Sequence, residues 1–161
     1  MNTITFLMLV LLGISLVSLS FFVFENLKES QAKVSARESL NEITSYVASV
    51  VVDAYEQANK NFFTSETQPV VNISINLPRK VGGKRYYVKL EGDNMTVVGN
   101  FATTNISSGI EKIFAETADG VVQSYSFLPY NLTGGGEIDS FGTAHYVQIF
   151  RFNDTLVVII T

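Results

Sequence analysis

This chain of 161 residues contains no cysteine, so it has neither disulfides nor thiolate metal sites. Any folded domain must rest on its hydrophobic core. It has one histidine, His145, set inside a strand-like pattern. A lone strand histidine is ordinarily packed or solvated, and a ligand or general base only rarely. Proline is scarce, with three residues and none before Pro69, so nothing breaks a helix over the first third of the chain. Charge is scarce too, at 16% of residues, and the first 24 residues carry none. The net charge of −4 and isoelectric point near 4.9 leave no basic field for nucleic acid. No G-x-S-x-G, Walker loop, G-x-G-x-x-G or H-E-x-x-H occurs. Glu91, Asp93, Glu137 and Asp139 fall in expected turns, where backbone preference accounts for Asp without a calcium site. Nothing here points to an enzyme, a cofactor or a metal.

What is present is one long helical pattern. Residues 1–24 read MNTITFLMLVLLGISLVSLSFFVF. At about 1.5 Å per residue such a run spans a bilayer core of about 30 Å. The pattern then continues in amphipathic form to about Phe62. Ala36, Leu40, Ile43, Val47, Val50 and Ala54 recur at steps of 4, 3, 4, 3 and 4, the heptad spacing of a helix that packs along a partner. Two readings follow. The stripe either docks on the protein's own β-domain, above all in its C-terminal turns, or meets other copies. A small domain cannot cover sixty residues of helix, so some of that length is expected to meet other chains. Gly13, Ser15, Ser18 and Ser20 are small enough to let helices approach closely. The expected helix–helix contacts are therefore Leu7, Leu11, Gly13, Ile14 and Ser18 in the apolar half, with Ala36, Leu40, Ile43, Val47, Val50 and Ala54 in the other.

Residues 64–69 read as a connector, and the period then changes to two. Val71, Ile73, Ile75 and Leu77 alternate with Asn72, Ser74 and Asn76, a half-buried strand. Further strands are expected over 86–91, 95–101, 121–128, 144–152 and 156–160. The segment 110–115 fits either a strand or a short helix. Gly92-Asp93 is expected to turn 86–91 into 95–101 as a hairpin. Leu156-Val157-Val158-Ile159-Ile160 is apolar throughout and suits the centre of a sheet. Gly134-Gly135-Gly136 reads as a flexible loop. Most aromatics of this region suit a core better than a binding face. The expectation is an α+β chain: an N-terminal helix over 1–62, then a β-rich domain over 63–161 built as an antiparallel sandwich or partly open barrel.

Five sequons lie in that domain: Asn72-Ile73-Ser74, Asn94-Met95-Thr96, Asn105-Ile106-Ser107, Asn131-Leu132-Thr133 and Asn153-Asp154-Thr155. Seven asparagines follow Phe63 and five start a sequon, whereas the helix has five asparagines and no sequon. Chance predicts about one match among seven, so N-linked glycans outside the cell are expected. Lys28, Lys33 and Arg37 follow the apolar run and no basic residue precedes it, which by itself would place the following domain inside. A short basic leader cut away ahead of Met1 reconciles the two signals. Otherwise Met1 is the initiator and the helix is a signal anchor.

The apolar helix without a basic leader, its amphipathic continuation and the sequon-bearing β-domain together resemble archaeal type IV pilins and archaellins. Leu77-Pro78-Arg79-Lys80-Val81-Gly82-Gly83-Lys84-Arg85-Tyr86 is similar to a segment of archaeal pilin-like proteins. Bacterial type IV pilins differ: they carry a glutamate where this chain has Thr5, often a proline near the end of the apolar segment, and often a disulfide. The resemblance implies an extracellular filament, adhesive or archaellum-like. Its subunits would sit in the membrane before assembly and then polymerise with copies of themselves through the helix, with glycosylated domains outward. The runner-up is a single-pass, membrane-anchored surface domain with a binding or stator-like role.

Overall fold

The computed structural model describes residues 2–60, 69–92, 96–101, 104–127, 129–152 and 154–161. Helix α1 spans Thr3–Lys60, and its first amides, Thr5 and Phe6, donate to the Asn2 carbonyl. It contains no proline and a single glycine, Gly13, so no residue interrupts its hydrogen-bond ladder. Residues 61 and 62, where the sequence pattern extends the helix, lie outside the described residues, as does most of the expected connector. The chain divides into two compact units, Met1–Ser35 and Ala36–Thr161. The second unit therefore takes in the last 25 positions of α1, so its helical part begins well before the boundary drawn from composition.

The first unit is helix alone, and every described residue in it is exposed. The second unit adds nine strands among its described residues: β1 (Val71–Ile75), β2 (Tyr86–Glu91), β3 (Thr96–Phe101), β4 (Thr104–Ile110), β5 (Lys112–Thr117), β6 (Val122–Ser126), β7 (Leu132–Asp139), β8 (His145–Phe152) and β9 (Thr155–Ile160). The main path through the sheet runs β1-β8-β9-β7-β2-β5-β6, with β3 and β4 branching from β7. This is an α+β fold with a sheet domain. The sheet is mixed rather than purely antiparallel, because β7 and β9 pair in parallel while the other pairs are antiparallel. The cause is the order of insertion. β8 lies one strand position beyond β7, and β9 turns back into the gap, so it runs in the direction of β7. The apolar 156–160 segment thus occupies the expected interior position, flanked on both sides and buried throughout.

Three sequence expectations need correction. First, the glycine triplet is strand, not loop. A Cβ on Gly134 would lie 2.1 Å from the Val158 carbonyl oxygen, one on Gly135 2.1 Å from that of Asn105, and one on Gly136 2.0 Å from that of Ile160. The triplet lets β7 lie closer to β9 and β4 than any side chain allows, and Gly136 also has a φ of 102°. Glu137 and Asp139 accordingly sit in β7 rather than in a turn. Second, β2 and β3 do not form a hairpin. β2 pairs with β5 and β7, and β3 pairs with β4. Third, β4 is a strand the pattern did not show. Its register against β7 shifts between Ser107 and Ile110, where Gly109 takes a φ of 78°. The ambiguous 110–115 segment resolves as β4 ending at Ile110 and β5 beginning at Lys112.

The main core joins the helix from Ala36 to Ala58 with Val88, Ile113, Leu132, Ile138, Val147 and Val158 of the sheet. A smaller cluster of Ile106, Phe150, Val157 and Ile159 buries the alternate side chains of β9. Both faces of the central strand are therefore covered, which explains its unbroken apolar sequence.

Candidate assembly surface

The apolar half of α1 fills a membrane-spanning length with side chains that all face outward. Ile4, Phe6, Phe21, Phe22 and Phe24 are each more than half exposed. This helix is long and apolar enough to cross a membrane. Two of its hydroxyls bond back to the helix: Ser15 Oγ donates to the Leu11 carbonyl and Ser20 Oγ to that of Leu16, both at 2.9 Å. Such back-bonding lets a hydroxyl sit in an apolar medium without an unmet hydrogen bond. Of the expected contact residues, Leu7, Leu11, Gly13, Ile14 and Ser18 are exposed, and a Cβ on Gly13 would meet nothing within 4 Å.

The second group of expected contacts is placed otherwise. Ala36, Leu40, Ile43, Val47 and Ala54 are buried in the main core against the chain's own sheet, and Val50 is half-buried beside it. The heptad-like stripe is therefore covered within the chain itself, the first of the two readings its spacing allowed. The burial period explains why: Thr44, Ala48, Val51 and Ala58 join the stripe and broaden it to the width of a helix face lying on a sheet. Thr44 fits there because its hydroxyl bonds the Leu40 carbonyl at 2.9 Å. Polar contacts tie down the helix's last turns. Arg151 donates to the Ala58 carbonyl at 2.9 Å, a cation where the helix dipole favours one. Tyr130 donates its hydroxyl to Glu56 at 2.6 Å, and its ring meets Tyr55 edge-on at 6.0 Å.

Three of the five sequon asparagines lie among the described residues, and all three are exposed. Asn72 is mid-strand in β1, which among the described residues pairs only with β8, and its Oδ1 accepts from Gln148 at 3.4 Å. Asn105 lies in β4, and Asn131 just precedes β7. Asn94 and Asn153 lie outside the described residues.

Several titratable groups of the sheet domain make structural contacts. Arg85 and Asp139 form a two-pronged ion pair, and the Arg85 guanidinium lies 5.3 Å from the Phe141 ring centroid. The hydrogen bonds from Arg85 and the Phe141 amide hold the Asp139 carboxyl down to about 2. Burial pushes the Tyr86 phenol up to about 12, and its hydroxyl donates to the Pro78 carbonyl at 2.6 Å. The Tyr87 phenol is also raised to about 12, first by its hydrogen bond to Glu116. His145 is buried at the start of β8, against Gly142. Among the described residues no group of three His, Cys, Asp or Glu side chains is placed to hold a metal ion. No family model, curated protein or solved structure matches this chain.

Proposed function

We propose that this chain is the structural subunit of an archaeal type IV pilus-like extracellular filament that serves surface adhesion. It polymerises through the first half of α1 and carries its β-domain, with N-linked glycans, on the outside. The carrying observation is the contrast between the two halves of one helix. From Ala36 onward one apolar face is covered by the chain's own sheet, whereas the uncharged apolar half is exposed at every described residue.

Lipid is the first solvent for that surface, and sibling helices are the second. At about 25 cal/mol per Å2, keeping most of a 24-residue apolar surface from water is worth tens of kcal/mol, so the free subunit is insoluble and the polymer stable. The contact joins different patches of successive copies and does not close, which yields an open helix rather than a ring. The exposed sequons at Asn72, Asn105 and Asn131 suit an outward-facing domain.

Negative-stain microscopy of the native surface fraction tests this reading. Filaments that contain the chain are expected. Dispersed membrane particles alone would overturn the filament and leave the membrane-anchored surface domain.

A further inference from the structure

The charges of the second unit are segregated. On α1, the stretch from Glu38 to Asn59 contains Glu38, Glu42, Asp53 and Glu56 and no Lys or Arg. With Ser45 and Ser49 they recur at steps of 4, 3, 4, 4 and 3, so they share one face. That face lies opposite the buried stripe: the four acids and Ser49 are exposed, and Ser45 is half-buried. The turn between β1 and β2 has the reverse composition, with Arg79, Lys80, Lys84 and Arg85 within seven residues and no acid. Val81 and Lys84 exchange backbone hydrogen bonds at 2.9 Å across Gly82 (φ 56°) and Gly83 (φ 79°), a two-residue hairpin. Asp139 takes up Arg85. Arg79, Lys80 and Lys84 are exposed and make no ion pair among the described residues, and the same holds for Glu38, Glu42 and Asp53. Glu42 and Lys80 both line an open groove of about 310 Å3 beside the hairpin, yet they do not pair across it.

We infer that the basic hairpin at 79–85 of one copy docks on the acidic face of α1, around Glu38 and Glu42, of a neighbouring copy. This rests on the filament reading and adds a second contact to it. A second copy is the occupant because one molecule carries two unpaired patches opposite in sign and equal in number, Arg79, Lys80 and Lys84 against Glu38, Glu42 and Asp53. They are different surfaces, so each copy can donate one and accept the other, as an open polymer requires. Charge complementarity of this kind fixes the register of neighbours and weakens with salt.

The test uses the full chain, held in detergent and assembled by dilution. K80E/K84E reverses the hairpin and E38K/E42K reverses the helix face. Each variant alone is expected to raise the critical concentration for sedimentable filaments by roughly tenfold, since like charges then meet at every contact. An equimolar mixture of the two restores opposite charges between copies and is expected to return near wild type, which an interaction within one copy cannot do. Melting of the detergent-held variants checks their folding. Should either reversal fail to fold, the neutral pair K80Q/K84Q and E38Q/E42Q is expected to raise the critical concentration and to flatten its dependence on salt. Variants that assemble like wild type, or a mixture no better than its parts, overturn the inference while the filament stands. A wild-type chain that makes no filament under any condition overturns the filament reading, and this inference with it.

Discussion

At the scale of single residues, the tightest constraint is the glycine triplet of β7. Gly135→Ala places a methyl 2.1 Å from a backbone oxygen that no rotamer change can move away. We expect a loss of about 3 kcal/mol, read as a lowered melting midpoint of the detergent-held chain. Gly13→Ala is the control. It meets nothing within 4 Å, sits in a helix, and should leave that midpoint unchanged or higher. The Arg85–Asp139 pair sets an acid limit. Asp139 binds its proton less tightly in the folded chain than in the unfolded one, so the pair stabilises above the unfolded value of 3.8. That contribution disappears as pH falls through about 2. Melting between pH 5 and pH 2 should steepen in this window for the wild type and flatten for Asp139→Asn. The glycines also show what a sequence hides. Three consecutive glycines carry no side-chain pattern, so their low strand propensity reads as a loop. The reason for them, two neighbouring strands pressed against one backbone, exists only once the sheet has formed.

At the scale of elements, α1 is two helices in one. The change of hydrophobic pattern near Phe24 announced that division, and β1, β2, β8 and β9 announced themselves by alternation or by unbroken apolar runs, whereas the segment that opens β5 fitted a short helix equally well. The period of the second half was legible but its partner was not. A stripe at heptad spacing fits a sheet as well as another helix, because both ask for one apolar face. β4 stayed hidden for a different reason. Its bulge at Gly109 puts Ile106 and Ile110 into separate cores, which breaks the period of two. Truncations separate the roles of the two halves of α1. Leu40 is fully buried, so Leu40→Ala should lower the stability of the second unit by about 3 kcal/mol. Leu11 is exposed, so Leu11→Ala should leave that melting transition in place and raise the critical concentration for assembly instead. Equal effects of both changes on the melt would mean that the apolar half is also covered within the chain.

At the scale of the whole molecule, exposure of Asn72, Asn105 and Asn131 gives the extracellular reading a direct check. Mass spectrometry of native material should find glycan mass on peptides containing these residues, and Asn72→Gln should remove it from one peptide only. Bare asparagine at all three would argue against an exported, glycosylated domain. Sequon spacing was fully legible in the chain. Which of them face outward was legible only for Asn72, whose strand alternates cleanly, because Asn105 lies in a strand without a readable period and Asn131 lies just outside one. The strand order has a further consequence, for biosynthesis. β9 follows both β7 and β8 in the chain, yet it fills the space between them and supplies Val158 and Ile160 to the main core. Until residues 155–160 leave the ribosome, the sheet has a gap at its middle and the helix has an incomplete surface to rest on. During synthesis β7 and β8 therefore emerge before the strand that joins them, and the middle of the sheet closes only once β9 has followed.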